Sequence, residues 1–293
     1  MFNQLTISIP TYERDQFLAW TLEKTLTDFG KDQKIIISDN GKSTFKAIGS
    51  IRYLRQPKNV GAFPNMRTAL LAASTKYCMF LGDDDYLIAD EVQKGIDFME
   101  THPEVLVYFA PCQLFDEIQQ KANWDAFYVA EDQTFTTADA LWNFVIHKHV
   151  WPEHAIYRRA RLDEILQPRV PAYWCFVDLA HAALRGPIHF AKTPFYRNLT
   201  GHPVGGRVKL GDQQCLTDFD NYRWGLEYLA HDIFAQALNQ PDQEAVKKLK
   251  VDLSNMIRQF IWSRYEVATR IYAGSGRLDE SNLLKKRLVM TGY

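Results

Sequence analysis

The sequence predicts an α/β fold with a mostly parallel, Rossmann-like sheet flanked by helices, followed by a helical C-terminal region. Two observations support the sheet: short apolar segments alternate with helically periodic segments through the first 110 residues, and several apolar segments are continuous. Continuous apolar strands are typical of sheets covered on both faces. A third observation, long helical periodicity near the C-terminus, predicts the helical region.

Composition sets the class of protein. The chain has 293 residues, of which 46% are hydrophobic and 24% charged, and its formal net charge is -1. This balance is typical of a globular protein and argues against nucleic-acid binding. The N-terminus lacks a signal-peptide pattern, and no apolar stretch approaches the roughly 18 residues of a membrane-spanning helix. We therefore expect a cytoplasmic protein, with its four separated cysteines as buried thiols.

The first 110 residues can be divided into elements by pattern and by turn residues. Strands are predicted at residues 5–9, 35–38, 51–55, 77–82 and 105–110, and helices at 17–29, 62–74 and from about residue 90. Ligands of such sheets bind beyond the carboxyl ends of the strands. Asp39 and the triplet Asp83–Asp85 each follow a strand, so we expect both at one edge of the sheet.

The triplet is the strongest chemical signal. Asp83 and Asp85 point the same way if the segment is extended, and two carboxylates at the mouth of a site suit Mg²⁺ or Mn²⁺. The alternative is a solvated acidic turn or helix cap. Because the triplet ends an apolar strand of a predicted parallel sheet, metal binding is the favoured interpretation.

Other polar residues have two interpretations each. Asp39 accepts a hydrogen bond from a nucleotide base, or closes its own turn with Asn40 and Gly41. Asn59 and Gly61 precede a helix N-terminus that would attract anions. Arg67 pairs with a diphosphate or is a surface arginine, and the sequence leaves this open.

Two further patterns are set aside. The cluster His147, His149, Glu153 and His154 does not match a zinc motif, and Pro152 interrupts any helix through it. The segment 41–43 lacks the earlier glycine that a phosphate-binding P-loop requires.

Residues 5–100 resemble the nucleotide-binding half of the family-two glycosyltransferases, which are inverting enzymes with the GT-A fold. Four pieces carry the resemblance in the family's order and spacing: LTISIPTYER, IIISDNGKS, NVGAFPNMRTALLAA and YCMFLGDDDYL. The resemblance implies a GT-A catalytic domain over 1–212, with a nucleotide-sugar half at 1–110 and an acceptor half at 111–212. The acceptor half would end in a mobile loop at 198–212, and residues 213–293 would form the helical region.

The resemblance also implies roles for particular residues. Thr11, Tyr12 and Glu13 would lie against the nucleotide, and Asp39 would bind the base. Asp84 would hold the ribose, and Asp85 would ligate the metal on the diphosphate, with Asp83 opening the D-x-D motif. Family members often have a second acidic residue where this sequence has Asn40.

The general base is expected in the segment YWCFVDLAHAALRGPIHF, where Asp178 matches the family's acidic position. An inverting transfer needs one carboxylate to accept the acceptor's proton. The alternative for Asp178 is a buried helix cap. His202 would reach the metal or diphosphate, or would be a surface histidine of its loop.

The function predicted is transfer of a sugar from a nucleotide-diphosphate sugar, a UDP-sugar above all, to a glycan or glycolipid acceptor hydroxyl in bacterial surface polysaccharide or lipopolysaccharide synthesis. The alternatives are a sugar-phosphate nucleotidyltransferase, although the glycine-rich loop of that class is missing after the first strand, and a non-catalytic nucleotide-sugar-binding module. Residues 240–293 have ten Lys/Arg and six Asp/Glu. This basic region favours packing on the parent domain or on a homodimer partner over peripheral contact with the inner face of a membrane.

Overall fold

The structure, a computed structural model, describes residues 2–42, 49–125, 127–166, 173–205, 225, 227–233, 235 and 242–290. The chain divides into two compact units. The first comprises Met1–Val170 and His181–Gly206, and the second comprises Pro171–Ala180 and Arg207–Tyr293.

The strands and helices of the described residues follow in chain order. They are β1 (Leu5–Thr11), α1 (Asp15–Phe29), β2 (Lys34–Asp39), β3 (Ile51–Arg55), α2 (Ala62–Leu71), β4 (Tyr77–Phe80), β5 (Tyr86–Leu87), α3 (Ala89–Thr101), β6 (Val107–Phe109), β7 (Cys112–Asp116), β8 (Lys121–Asp125), β9 (Gln133–Phe135), α4 (Ala138–His147), β10 (Ala155–Arg158), α5 (Arg159–Ile165), α6 (Trp174–Ala183), β11 (Ile188–Phe190), β12 (Tyr196–Gly201), α7 (Gln243–Gly274) and α8 (Leu278–Met290).

An eight-stranded sheet forms the centre of the first unit, in the order β3-β2-β1-β4-β10-β6-β11-β9. Strands β3, β2, β1 and β4 are parallel neighbours, whereas β10 is antiparallel to both β4 and β6. The predicted mostly parallel sheet is therefore confirmed. Its strands β1, β2 and β4 are almost wholly buried, as their continuous apolar sequences indicated.

A second sheet has the order β5-β12-β7-β8. Its strand β12 pairs antiparallel to β5, which comes directly after the aspartate triplet, and parallel to β7. Residues 198–201 therefore belong to a strand, and the loop expected over 198–212 begins later than its glycines suggested. Residues 206–212 of that loop lie outside the described part of the chain.

The second unit contains α7 and α8, which pack against each other. Leu253 and Tyr265 of α7 are buried, and the Ser281 hydroxyl of α8 donates a hydrogen bond to the Thr269 carbonyl at 3.0 Å. The long helical periodicity near the C-terminus thus belongs to α7. A further helix, α8, follows it and is the last described helix. Within the described residues, no helix combines the length and the apolar character needed to cross a membrane.

Candidate functional site

The parallel block brings three polar chain segments to one edge. Strand β1 lies between β2 and β4; its end at Thr11 is paired with Asp39 of β2, and β4 ends at Phe80 beside Ser8. The chain continues from Phe80 through Leu81 and Gly82 into the triplet, whose three aspartates are all buried. The expected meeting of Asp39 and the triplet at one edge follows from this strand order.

Residues of β1 and α1 hold the first two aspartates. The Thr11 hydroxyl donates a hydrogen bond to Asp83 Oδ2 at 2.7 Å. Arg14, directly before α1, forms ion pairs with Asp83 Oδ1 at 3.0 Å and Asp84 Oδ2 at 2.5 Å. The Thr21 hydroxyl of α1 lies 3.0 Å from the Asp83 carbonyl and 3.1 Å from the Asp85 carbonyl. Thr11 and Arg14 therefore fix the side chains of Asp83 and Asp84, and Thr21 of α1 fixes the backbone of the triplet.

Asp85 is held from β12. Its Oδ2 accepts hydrogen bonds from the Tyr196 hydroxyl at 2.8 Å and the Asn198 amide at 3.0 Å. Its Oδ1 accepts one from the Leu199 backbone N–H at 2.9 Å. The carboxylate therefore has a fixed orientation set by neutral donors.

Burial shapes the electrostatics of this cluster. Desolvation, with a smaller contribution from the charge of Asp84, raises the pKa of Asp83 to about 6 although Arg14 acts to lower it. Burial also raises the pKa of Tyr196 well above its usual range, with Asp85 adding to the effect, so the hydroxyl stays a donor. Among the described residues, the three carboxylates of the triplet outnumber the one guanidinium, that of Arg14, whose ion pairs with Asp83 and Asp84 are given above.

Asp39 is fully buried at the end of β2. Its Oδ1 accepts a hydrogen bond from the Gly41 N–H at 2.9 Å, and its Oδ2 accepts one from the Tyr53 hydroxyl. Arg55 lies 3.5 Å from the same oxygen. Asp39 thus closes its own turn, as the alternative interpretation had it, and its binding of a base stays a prediction.

The hydrogen bonds of Asn40 explain why this sequence has an amide at a position that is often acidic in the family it resembles. Its Nδ2 donates to Asn59 Oδ1 at 2.7 Å and to the Gly61 carbonyl at 3.2 Å, while its Oδ1 accepts from the Val60 N–H at 2.8 Å. A carboxylate would lack the two donors. Asn40 therefore ties the end of β2 to the predicted anion-binding loop at Asn59 and Gly61.

Tyr12 and Glu13 lie beside this turn. A Cβ on Gly41 would come within 2.8 Å of Glu13 Cγ and 3.1 Å of the Tyr12 ring, so only glycine allows this approach. Glu13 has a φ of 52°, which is unfavourable for a residue other than glycine. Tyr12 is 43% exposed. An exposed aromatic ring at the edge is available to stack on a planar ligand.

Arg67 and His202 are both buried, which removes the surface interpretation of each. Arg67 lies within α2. The His202 ring packs edge-on against Phe17 and Trp20 of α1, with centroids 4.8 and 4.7 Å away. Its Nδ1 accepts a hydrogen bond from the Val204 N–H at 3.1 Å, which places the proton on Nε2. A role as metal ligand at Nε2 requires the other tautomer, and it stays a prediction.

Asp178 belongs to the second unit and is buried. It is the fifth residue of α6, within the helix rather than before its first turn, so it is not the helix cap that the alternative required. The neighbouring rings of Tyr173 and Phe176 pack on Phe260 of α7, with centroids 5.1 and 5.5 Å apart. Its role as general base stays a prediction.

Sequence reasoning missed Arg14, Tyr196 and Asn198. A signal for Arg14 existed, since three adjacent aspartates need a counter-charge and Arg14 directly follows β1. Tyr196 and Asn198 gave no such signal, because nothing in the sequence predicts the pairing of β5 with β12. Asn198 thus belongs to the candidate site through a strand pairing that only the structure reveals.

The histidine-rich segment lies partly at the surface and partly in the interior. His147 and His149 are exposed, Glu153 is half-buried and His154 is buried, and burial lowers the pKa of His154 to about 3. The described residues contain no group of three or more His, Cys, Asp or Glu side chains arranged to hold a metal ion.

The family model for glycosyl transferase family 2 matches residues 6–166, more than half of the chain. The chain belongs to this family. It is therefore a glycosyltransferase, and the nucleotidyltransferase and the non-catalytic binding module are set aside. No curated protein matches the sequence significantly.

Solved structures similar to this family member have the GT-A fold. A crystal structure of S. aureus TarS 1-349 has a TM-score of 0.60 at 14% identity, covering 99% of this chain and 92% of that chain. The same protein in complex with UDP has a TM-score of 0.59 at 14% identity, again covering 99% of this chain and 92% of that chain. The mannosyltransferase PcManGT from Pyrobaculum calidifontis, in complex with GDP-Man and Mn²⁺, gives 0.52 at 13% identity over 99% of this chain and 81% of that chain. The longer TarS structure is covered over 43% of its length.

Proposed function

We propose that this glycosyltransferase uses a divalent cation and a nucleotide-diphosphate sugar to glycosylate an acceptor hydroxyl with inversion at the anomeric carbon. The observation that carries the proposal is the buried triplet Asp83–Asp85, held by α1 and β12 beside the ends of β1 and β2. In a member of this family, such an acidic edge is suited to bind a donor.

The donor's nucleoside would lie along the edge formed by β1 and β2. Tyr12 would stack on the base and Asp39 would accept a hydrogen bond from it, with Glu13 beside them. Asp84 would hold the ribose, and Asp83 would support it through Arg14. The N-terminus of α2, which follows Asn59 and Gly61, would face the diphosphate with the positive end of its helix dipole, and Arg67 would add a guanidinium.

The residues of the edge fit Mg²⁺ or Mn²⁺. Such cations take one or two carboxylates and complete their shell with water and substrate phosphates, so a three-residue protein cage is not required. Asp85 offers a hard oxygen donor in a cluster whose carboxylates outnumber its guanidinium among the described residues, and His202 is the second predicted ligand. When bound, the cation would offset charge on the leaving diphosphate.

Asp178 would act as the general base. The acceptor oxygen forms the new bond to C1 as the bond from C1 to the diphosphate oxygen breaks, and the acceptor proton passes to the Asp178 carboxylate. The nucleoside diphosphate leaves. A single displacement of this kind inverts the configuration at C1.

UDP-sugars are the favoured donors. TarS structures contain UDP and UDP-GlcNAc, whereas PcManGT contains GDP-Man, so both nucleotides belong in a test. We propose a glycan or glycolipid acceptor, in bacterial surface polysaccharide or lipopolysaccharide synthesis.

Titration calorimetry tests the donor site. UDP, GDP and their sugars are titrated with and without Mn²⁺ into wild type, Asp85→Asn and the surface control Asp97→Asn. We expect Mn²⁺-dependent binding of one nucleotide, lost in Asp85→Asn and kept in the control. A wild type that binds no nucleotide, with or without metal, would contradict the proposal.

The mechanism has its own test. With the donor found by calorimetry, Asp178→Asn is expected to bind it normally and to lose transfer by a factor of about 10² or more. The anomeric configuration of the product is read by NMR. A product with retained configuration, or full activity in Asp178→Asn, would overturn the mechanism.

A further inference from the structure

Three donors from one strand converge on a single carboxylate. The Tyr196 hydroxyl, the Asn198 amide and the Leu199 N–H all donate to Asp85, and we call these three groups the β12 clamp. They lie 111 to 114 residues from Asp85 in sequence. The clamp therefore exists only because β12 pairs with β5 next to the triplet.

The hydrogen bonds through Tyr196 have a fixed direction. The Gly82 N–H donates to the Tyr196 oxygen at 2.9 Å, so the hydroxyl proton is directed to Asp85 Oδ2. The ring is itself held, since it is fully buried and stacks on His154 with centroids 3.6 Å apart. Hydrogen bonds linked in this way polarise one another, which favours the charged carboxylate.

The geometry leaves Asp85 little rotational freedom. Donors reach both carboxylate oxygens, and the side chain is 3% exposed. Asp83 and Asp84 differ in this respect, because a charged group, Arg14, pairs with them. Asp85 is thus the aspartate of the triplet whose carboxylate receives three neutral donors from β12.

We propose that Tyr196 and Asn198 are positioning residues that orient Asp85 for a divalent cation. The proposal rests on the metal role of Asp85 given above. Partners of a metal ligand that fix its orientation typically contribute a factor of about 10 to 100 in metal affinity. Neither residue touches the sugar or the acceptor in this scheme.

Tyr196→Phe removes the hydroxyl and keeps the ring that stacks on His154. Tyr77→Phe is the matched control, because Tyr77 is also fully buried and its hydroxyl accepts a hydrogen bond from Arg158 at 3.2 Å. Electron paramagnetic resonance of Mn²⁺, with UDP or GDP present, measures the free and bound metal. We expect a Mn²⁺ dissociation constant at least about 10-fold higher in Tyr196→Phe and an unchanged constant in Tyr77→Phe.

Asn198→Asp gives a second test that does not depend on loss of binding. It places a second carboxylate about 3 Å from Asp85 Oδ2, where like charges destabilise the fold without metal. We expect a lower melting temperature than wild type in EDTA and a larger Mn²⁺-induced increase than wild type shows. Asn123→Asp, in strand β8 of the same sheet, is the control and should not gain this Mn²⁺ response.

The outcomes separate the two proposals. If wild type binds Mn²⁺ but folded Tyr196→Phe binds it equally well, the positioning role is wrong and the metal proposal stands. An Asn198→Asp variant that melts lower without a larger Mn²⁺ response also contradicts the positioning role. If wild type itself binds no Mn²⁺ with either nucleotide, the metal role of Asp85 fails and this inference fails with it.

Discussion

His154 is a buried, uncharged imidazole next to the candidate site. Its ring stacks on Tyr196, with centroids 3.6 Å apart, and both rings neighbour Phe80, at 6.3 and 6.4 Å. Its Nδ1 has no hydrogen-bond partner among the described residues. The ring therefore acts in the fold as an aromatic spacer, and protonating it would require a charge to be buried.

This burial predicts a pH dependence of stability. Above pH 6.5 His154 is neutral in the folded and unfolded states, so it does not make the free energy of unfolding depend on pH. Because its folded pKa is lowered from 6.5 to about 3, the unfolded state alone takes up the proton as the pH falls, and stability is lost. At pH 5 the loss is about 2 kcal/mol, since one pKa unit is worth about 1.4 kcal/mol.

Denaturant unfolding of wild type and His154→Phe at pH 7 and pH 5 checks this expectation. The variant keeps an aromatic ring and should lose about 2 kcal/mol less than wild type on acidification. His147→Phe, at an exposed histidine of α4, should keep the wild-type slope. If wild type and His154→Phe lose the same unfolding free energy between pH 7 and pH 5, His154 does not cause the loss.

At the scale of single residues, the sequence predicted where the acidic residues lie better than it predicted which residues they contact. Asp83–Asp85 and Asp39 were placed correctly because turn residues follow continuous apolar strands. Their partners were not predicted, since Arg14 is 70 residues from Asp84 and no periodicity links the two. Asp39 shows the same limit, because only the structure brings Tyr53 of β3 to its carboxylate.

Helix α1 does more than cover the sheet. Thr21 on its buried face holds two carbonyls of the triplet, and Phe17 and Trp20 on another face contact His202. The helix thus connects the triplet with the residues that follow β12. Its amphipathic pattern predicted the helix correctly but not these contacts.

Thr21→Val should therefore weaken the site through the helix. The valine has nearly the same shape and loses the hydroxyl donor that the two carbonyls share, which we expect to cost about 1 to 2 kcal/mol of stability and to lower nucleotide affinity. Thr27→Val is the matched control, because its hydroxyl is exposed and donates only to the Glu23 carbonyl. Unfolding curves and nucleotide titration measure both effects. A Thr21→Val protein that matches the control in both would contradict the role of α1.

Elements of the second half were harder to predict for a physical reason. The apolar segments at 141–146 and 173–180 are short and uninterrupted, and such segments fit a buried strand or a buried helix equally well. The structure has them in α4 and α6. The antiparallel place of strand β10 between β4 and β6 depends on contacts far apart in sequence.

The whole chain shows an interleaved organisation that a linear division of the sequence lacks. Pro171–Ala180 belongs to the same unit as Arg207–Tyr293, although it precedes the last strands of the first unit. In the second unit, Tyr173 and Phe176 pack on Phe260 of α7. The basic region is also partly a packing surface, since Tyr265 and Tyr272 are buried and Arg277 stacks over Tyr272 at 4.5 Å.

A chain truncated after residue 206 should consequently be defective even though it keeps the complete donor edge. Tyr173 and Phe176 would lose Phe260, and their apolar surface would be exposed to water. We expect the truncated chain to aggregate or to be cleaved by protease within residues 171–180, as limited proteolysis with mass spectrometry would show. A soluble, protease-resistant fragment that binds nucleotide as the full chain does would contradict this expectation.

The sequence distance between Asp85 and its clamp has a consequence during synthesis. A ribosome that adds about 5 to 20 residues per second needs roughly 6 to 22 s to extend the chain by the 111 residues from Asp85 to Tyr196. Arg14 emerges before the triplet and can neutralise Asp83 and Asp84 at once, whereas Asp85 waits for β12. The nascent chain therefore completes its acidic edge only late in translation, after the parallel strands around it have already been made.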